Sequence, residues 1–533
     1  FSLSFSFSFV DPLSLVFVCL VLFLSVVMVV SGGETEPQTP PPNPFEKKLS
    51  TGFEEDLGEK SELLHEKRHG KIKINGFLAM CVAVVSIATC LLGYDIGVMS
   101  GAILFIEEDF DLVDWQIELV VGSLNLVSAV GALFAGPLSD RIGRRKTILI
   151  AAVIFTLGAV GMALALEFWS LLAFRIVTGV GVGVGLVLSP LYVAELSPSS
   201  YRGMLVSLGE VMVNVGILLG YIVNLSLSGL DHSLAWRLML GLGAVPSVLL
   251  FIGIWFMPES PRWLVSKDRK DEAEQVFVRA EYPPEIIPEL LADIEEMVNL
   301  AKQQDNVKWA DVLCCPTKLI RTTMIIGVGI NFFQQATGCE AAVYYTPKVL
   351  EDAGIESTQG ALLASLCVGV VKVICIFPPL WYVERFGRKH FLYVSTLGMM
   401  FAHCLSAVSF YPDEPMAYLA IFSICLFVAF FSLGIGPINW VLTSEVFPLV
   451  IRGRAMSIAT LVNRLTSGTV ALSFLSLSEL LTPSGAYIMF AVISFFGFLF
   501  VFFVVPETKG KSLEELEQMF AGDEGEKEEE TYQ

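Results

Sequence analysis

Two charged residues lie inside apolar stretches that are long enough to cross a lipid bilayer. Asp95 falls in LLGYDIGVMSG (residues 91–101), and Arg175 falls in LLAFRIVTGVGVGVG (residues 171–185). A single charge inside a membrane helix costs roughly 2.5–3.5 kcal/mol on insertion scales, and such groups persist where they pair, face a water-filled path or exchange a proton. We interpret the two residues as a proton-coupling pair; a static structural ion pair is the alternative.

The composition is typical of a polytopic membrane protein. The chain has 533 residues, of which 54% are hydrophobic and only 17% are charged, and its mean hydropathy is +0.67. The net charge of −20 comes without a basic stripe, which argues against nucleic-acid binding. Because no nucleophile–base set, metal-ligand spacing or cofactor loop stands out, the sequence predicts neither an enzyme nor a bound metal or cofactor. The expected coupling ion is the proton.

Twelve apolar stretches predict an all-α membrane protein with two pseudo-symmetric six-helix bundles. The predicted spans cover about residues 75–101, 116–138, 146–167, 169–195, 203–226, 236–257, 320–342, 358–382, 390–410, 416–443, 455–478 and 485–505. The predicted domains are a leader and disordered cytosolic arm (1–73), the N-terminal bundle (74–257), cytosolic linker helices (258–318), the C-terminal bundle (319–505) and an acidic cytosolic tail (506–533).

The first 33 residues admit three interpretations. They contain no initiator Met and no basic region, and residues 13–30 are apolar enough to form an extra span or to mimic a signal sequence. The third interpretation is a start at Met28, with residues 1–27 as a translated leader. We favour this start, because an extra span would put the two ends of the chain on opposite sides of the membrane.

Basic residues in the loops predict the orientation of the spans. DRIGRRK (140–146) and ERFGRKH (384–390) fall on one side, whereas EEDFD (107–111) and YPDE (411–414) fall on the other. The positive-inside rule makes the first side cytosolic and the second external. The central linker and both termini are then also cytosolic.

The two halves of the chain repeat each other. GPLSDRIGRRK (136–146) matches PLWYVERFGRK (379–389), and SPLYVAELSPSSYRG (189–203) matches NWVLTSEVFPLVIRG (439–453). PESPRW, which follows the sixth span, loosely matches PETKG, which follows the twelfth. A duplicated bundle of this kind is expected to bind its substrate between the halves, near the midplane, and to alternate access by rocking.

The predicted topology places Asp95 and Arg175 at one depth. The first span is expected to run outward and to end near residue 101, and the fourth to begin near residue 169. Each charge then lies about six residues, or roughly 9 Å, from the external surface. Movement of Arg175 away from Asp95 would leave the carboxylate free to take up a proton.

Charged residues at the cytosolic helix ends predict a latch that stabilises one access state through Arg–carboxylate pairs. Plain anchoring at the membrane surface is the alternative. The predicted latch residues are Asp140, Arg141, Arg144, Arg145, Glu195, Glu384, Arg385, Arg388, Glu445 and Arg452.

The ordered motifs of the chain resemble those of the sugar-porter branch of the major facilitator superfamily, in particular plant polyol and monosaccharide proton symporters. The motifs are GPLSDRIGRRK, AELSPSSYRG, PESPRWL, FFQQATG, ERFGRK and PETKG, and the resemblance covers about residues 72–520. It implies that the first-span carboxylate, Asp95, carries the proton and that the fourth-span arginine, Arg175, is its partner.

The resemblance also implies a set of sugar contacts. Amide side chains suit hydroxyl groups because they both donate and accept hydrogen bonds, and a tryptophan face can stack on a carbohydrate ring. The matching residues are Gln334 and Gln335 of the seventh span, Trp440 of the tenth, Tyr344 and Tyr345 as neighbours, and Asn463 of the eleventh.

Three positions depart from the hexose-carrier pattern, in which amides are common. Glu210, Glu340 and Lys372 replace them, and Arg464 adds a further charge. Because an unpaired buried charge is costly, we expect Glu210 or Glu340 to pair with Lys372. These residues either alter substrate selectivity or form structural pairs beside the cavity.

The predicted function is therefore symport of a proton with a polyol or monosaccharide. An uncoupled facilitative carrier and a sugar sensor built on a transporter fold are the alternatives. The sequence does not rank sorbitol, mannitol, xylitol, inositol, glucose and fructose, since their differences change binding by only a few kcal/mol. The expected partners are the small-molecule substrate and the lipid bilayer, the expected functional unit is a monomer, and the plasma membrane is favoured over the vacuolar membrane.

Overall fold

A computed structural model describes residues 75–303, 317–355, 357–410, 416–448, 451–509 and 519–520, apart from the side chains of 199, 200, 300–303 and 384. The predicted leader with its Met28 start lies outside the described residues, as does most of the acidic tail. The described part of the chain is helical and contains no strand, which confirms the all-α prediction.

Six spans form the N-terminal half. Their helices are Gly76–Phe110, Asp114–Ile142, Arg144–Ala163, Phe168–Leu196, Ser199–Leu227 and, for the sixth span, His232–Gly241 followed by Ala244–Phe256.

The C-terminal half contains three interrupted spans. The seventh span consists of Lys318–Ala336, Cys339–Tyr344 and Thr346–Asp352, the eighth of Thr358–Cys375 and Phe377–Phe386, and the tenth of Ala417–Leu433 and Ile435–Val446. The ninth span is the single helix Arg388–Ser409, and the eleventh and twelfth lie within Arg452–Phe503.

The helix breaks have local causes. Gly338 interrupts the seventh span with a φ of 88°, a conformation that glycine adopts without strain. Thr482 separates the eleventh and twelfth spans with a φ of 67°, directly before Pro483, whose ring disfavours helical geometry in the preceding residue. Within the described residues, ten helices are long and apolar enough to cross a membrane. The broken seventh span and the division at Thr482 bring the architecture to twelve spans.

Glycines let the first and fifth spans approach closely. A Cβ atom added to Gly97 would lie 2.8 Å from the Cα of Ile217, and one added to Gly216 would lie 2.7 Å from the backbone nitrogen of Tyr94. Real side chains do not tolerate such distances, so small residues are required at this contact. The contact fixes the first span, and with it Asp95, against the fifth.

The prediction that the first span ends near residue 101 was wrong. The helix continues to Phe110, and residues such as Ala102, Ile103 and Ile106 are fully buried within it. Asp95 therefore lies fifteen residues before the helix end, or about 22 Å at 1.5 Å per residue.

Three short helices follow the N-terminal half: Pro261–Ser266, Lys270–Arg279 and Ile287–Gln303. The indole Nε1 of Trp263 donates to the carbonyl of Asp140 at 3.1 Å, and the hydroxyl of Tyr192 donates to the carbonyl of Pro258 at 2.8 Å. These bonds attach the start of the linker to the predicted cytosolic face of the N-terminal half.

Two glutamates play the same structural role in the two halves. Glu259 Oε1 accepts from the backbone nitrogens of Arg144 and Arg145 at 2.8 and 3.0 Å, at the start of the third span. Glu507 accepts from the backbone nitrogens of Arg388 and Lys389 at 2.9 and 3.0 Å, at the start of the ninth. A carboxylate at a helix N-terminus satisfies free N–H groups and complements the helix dipole. The repeated PES and PET segments thus have a physical basis.

Removal of the Glu259 side chain should destabilise the N-terminal half. Burial raises the pKa of the Glu259 carboxyl, against the opposing effect of its backbone N–H bonds. We expect Glu259→Ala to lower the free energy of unfolding by about 1–3 kcal/mol, because charge-assisted hydrogen bonds are lost. Thermal melting in detergent measures this. Glu272→Ala, which removes an exposed ion pair with Arg269, is the control and should leave the melting temperature nearly unchanged; equal melting of the two variants would contradict the role of Glu259.

Candidate functional site

Asp95 and Arg175 form a buried ion pair. Arg175 Nη1 lies 2.5 Å from Asp95 Oδ2, and the side chains are 0% and 3% exposed. Arg175 Nε also donates to the carbonyl of Val120 at 3.0 Å, so the second span helps to orient the guanidinium. The first, second and fourth spans therefore meet at this pair, and a change in the charge of Asp95 would alter the packing of all three.

Two buried polar groups, one on Arg175 and one on Tyr344, have no hydrogen-bond partner among the described residues. They are Arg175 Nη2 and the hydroxyl of Tyr344. Tyr344 is fully buried in the short seventh-span helix Cys339–Tyr344, which packs against the first span.

A central cavity lies between the two halves. Its volume is about 50 Å³, several times the roughly 10–15 Å³ that one water molecule requires on the same measure. The charged, amide or aromatic residues around it are Glu210, Asn214, Gln334, Gln335, Glu340, Lys372, Phe431, Trp440 and Arg464. The first span also contributes Leu92 and Ile96, so residues one turn before and directly after Asp95 line the cavity. Both halves line this cavity, where a duplicated bundle is expected to bind its substrate.

The two glutamines of the seventh span, Gln334 and Gln335, have different roles. Gln334 Nε2 donates to the carbonyl of Gly436 at 2.8 Å, and its Oε1 accepts from Asn463 Nδ2 and Asn439 Nδ2 at 2.6 and 3.1 Å. Gln335 Nε2 donates to Asn463 Oδ1 at 3.3 Å, but its Oε1 has no partner among the described residues. Gln334 thus holds the seventh, tenth and eleventh spans together, while Gln335 keeps an acceptor for a ligand hydroxyl.

Three predicted contact residues lie outside the cavity lining. Asn463 is fully buried behind the amide pair and bonds to both glutamines, and Arg464 Nη2 donates to its Oδ1 at 2.6 Å. Tyr344 packs beside the first span, and its neighbour Val343 lines the cavity instead. Tyr345 donates to the carbonyl of Ala471 at 2.7 Å, within the C-terminal half.

The expected pairing of the cavity charges differs in the structure. Arg464 Nη1 lies 3.9 Å from Glu340 Oε1, and Lys372 Nζ lies 3.9 Å from Cys339 Sγ and over the Phe431 ring. Among the ion pairs of the described residues, none joins Lys372 to Glu210 or Glu340, so that prediction was wrong. The eleventh span, rather than the eighth, brings its cation closest to Glu340.

Sequence reasoning missed two asparagines behind the cavity. Asn331 Oδ1 accepts from Asn439 Nδ2 at 2.9 Å, and Asn331 Nδ2 donates to Thr443 Oγ1 at 3.0 Å. Their positions in the sequence could have predicted them, since Asn331 lies one helical turn before Gln335 and Asn439 directly precedes Trp440.

The predicted cytosolic latch residues pair within each half. Arg144 bonds to Glu195 and Asp140 at 3.1 and 2.7 Å, and Arg388 bonds to Glu445 at 2.8 Å. Among the described residues, no ion pair at this face joins the two halves. The predicted Arg–carboxylate pairs between neighbouring helix ends are therefore present, and each network joins helix ends within its own half. That these pairs stabilise one access state stays a prediction.

The other predicted latch residues have separate environments. Arg145 donates to backbone carbonyls of Ile254 and Trp255, and Arg452 Nε donates to that of Phe447. Arg141 is exposed, and Arg385 lies against the Phe386 ring. The side chain of Glu384 lies outside the described residues.

Contacts between the halves are found at the opposite, predicted external face. Lys348 of the seventh span bonds to Glu107 and Asp114 of the N-terminal half at 3.2 and 3.1 Å. The buried Glu118 accepts from the backbone nitrogen and hydroxyl of Ser476 at 2.8 and 2.5 Å. These contacts join the two halves on that side. No motif pointed to them.

Comparison with known proteins identifies the family of the chain. The sequence model of the "Sugar (and other) transporter" family matches residues 81–520. The chain is 41% identical over 468 residues to the probable polyol transporter 4 of Arabidopsis thaliana, covering 87% of this chain and 89% of that protein. It is 37% identical to the D-xylose transporter of Levilactobacillus brevis, covering 82% and 94%.

Solved structures support the same assignment. A partially occluded inward-open structure of the xylose transporter XylE from E. coli has a TM-score of 0.71 and 28% identity, covering 82% of this chain and all of that one. The proton:xylose symporter XylE bound to 6-bromo-6-deoxy-D-glucose also has a TM-score of 0.71, at 29% identity, covering 83% of this chain and 99% of that one. The motifs, the twelve-span fold and these similarities together show that the chain is an integral multi-pass membrane protein of the sugar (and other) transporter family, in the sugar-porter branch of the major facilitator superfamily.

Proposed function

We propose that the chain carries a polyol or monosaccharide inward together with a proton, by alternating access across the plasma membrane, and works as a monomer. The observation that carries this proposal is the buried Asp95–Arg175 pair next to a cavity that both halves line. Protonation removes the negative charge of Asp95 and so weakens its pairing with Arg175. The change in pairing would shift the equilibrium between the two positions of the rocking halves.

The first span links the proton site to the cavity. Asp95 contacts Arg175, while Leu92 and Ile96, on neighbouring helix positions, line the cavity. Protonation of Asp95 would release Arg175 and permit the first span to move against the fourth, which changes the shape of the cavity wall. Coupling then requires no direct contact between the proton site and the substrate.

The cavity is suited to a neutral ligand rich in hydroxyl groups. Gln335 Oε1 and the Glu210 and Glu340 carboxylates can accept hydrogen bonds, while Lys372, Arg464 and the Trp440 indole can donate them. Both donors and acceptors surround the space, which suits hydroxyl groups because each can donate and accept hydrogen bonds. The similarity to polyol and D-xylose transporters supports this substrate class.

Uptake of labelled substrates in transport-deficient yeast tests the proposal. The substrates are sorbitol, mannitol, xylitol, inositol, glucose, fructose and xylose, each supplied with and without an uncoupler. We expect accumulation against a gradient of at least one of them, faster at acidic external pH and abolished by the uncoupler. Equilibration that is independent of pH and of the uncoupler would instead show an uncoupled carrier.

A further inference from the structure

We propose that Lys348, Glu107 and Asp114 form an outer latch: an ion cluster that holds the two halves together at the external face and breaks each time the cavity opens outward. This inference rests on the proposed alternating access. It concerns contacts distinct from the proton-coupling pair and the cavity.

The geometry joins three elements through one cation. Lys348 Nζ lies 3.2 Å from both carboxylate oxygens of Glu107 and 3.1 Å from Asp114 Oδ1. Lys348 belongs to the last helix of the broken seventh span, Glu107 to the end of the first span, and Asp114 is the first residue of the second. A single C-terminal-half residue thus connects the outer ends of two N-terminal-half spans.

Neighbouring charges at this face pair within the N-terminal half. Glu108 bonds to His232 at 2.5 Å, and Asp109 bonds to Arg237 at 3.1 Å. Of the ion pairs that the described residues form, only those of Lys348 connect the halves. At the cytosolic face, Arg144 and Arg388 also pair within their own halves. Among the described residues, the ion pairs that join the halves therefore lie at the outer face.

Partial exposure makes the outer latch easy to break. The side chains of Lys348, Glu107 and Asp114 are 18%, 33% and 50% exposed. Water and salt screen such pairs, so each stabilises the closed state only modestly. A carrier needs contacts of this strength at a gate, since a latch as strong as a fully buried pair would trap one conformation.

Labelling of Cys339 from outside the cell tests the latch. Cys339 lines the central cavity and is buried, so a membrane-impermeant maleimide reaches it from outside only when the outer face opens. We expect Lys348→Gln to raise the external labelling rate of Cys339 about two- to tenfold, because loss of the partly exposed pairs favours the open state. Cys339→Ser gives the background signal from other cysteines.

Matched variants separate the latch from a general effect of charge. Glu107→Gln should raise labelling, whereas Glu108→Gln, which removes the adjacent carboxylate and its within-half pair, should not. The triple variant K348Q/E107Q/D114N should label no faster than K348Q alone, because the interactions belong to one unit. Wild-type labelling in K348Q, or an equal rise in E107Q and E108Q, would overturn the proposal. The assay contains neither substrate nor a pH gradient, so such a result would leave the proposed symport standing, and a failure of symport would leave the labelling result intact.

Discussion

Asp95→Asn should abolish uphill uptake while leaving substrate exchange across the membrane. Asparagine has nearly the shape of aspartate but cannot bind and release a proton, so the variant can at most equilibrate its substrate. Arg175 Nη1 can still bond to the amide oxygen, which keeps the first and fourth spans close. Accumulation of labelled substrate and counterflow into preloaded vesicles measure the two properties separately. Proton-dependent accumulation in the variant at the wild-type level would contradict the coupling role of Asp95.

A second variant guards against simple misfolding. Removal of one partner of a buried ion pair costs about 3–5 kcal/mol, since the other charge remains buried without compensation. The double variant D95N/R175Q leaves neither charge, so we expect it to express better than D95N and still to equilibrate its substrate without accumulating it. Restored accumulation in the double variant would show that the pair is structural.

Gln335→Leu should raise the KM for the transported substrate by about tenfold or more with little loss of stability, because Gln335 Oε1 has no partner among the described residues and is free to accept from a substrate hydroxyl. Loss of one buried hydrogen bond of this kind costs about 1–3 kcal/mol, and each 1.4 kcal/mol is about tenfold in affinity. Concentration-dependent uptake and thermal melting measure the two effects.

Gln334→Leu provides the contrast. Its side chain bonds to the carbonyls of Ile435 and Gly436 and accepts from Asn439 and Asn463, so its loss leaves several buried groups unpaired. We therefore expect this variant to melt at a lower temperature and to reach the membrane in smaller amounts. If Q335L lost stability while Q334L retained it, the assignment of the two roles would be reversed.

The candidate site was only partly predictable, because the hydrogen bonds and ion pairs of its side chains depend on distances between helices that are far apart in the sequence. Sequence patterns identified Gln334, Gln335, Glu340 and Lys372 as polar residues inside apolar spans, but they could not tell a ligand-facing amide from one that ties helices together. The proximity of Arg464 to Glu340 depends on the rotation of the eleventh span about its axis. That rotation is set by packing with several neighbouring helices, and no local periodicity encodes it.

The sequence by itself determined the membrane class, the twelve spans, the duplication and the presence of Asp95 and Arg175 within apolar helices, because hydrophobicity and charge are local properties. Only the tertiary structure decided that the two charges touch, that the first helix continues to Phe110, and which residues of each half line the cavity. Contacts between the halves, such as that of Lys348 with Glu107, depend on which of two packings the bundles adopt. Under the proposed alternating access, one sequence supports both packings, so its local patterns cannot specify which contacts are closed.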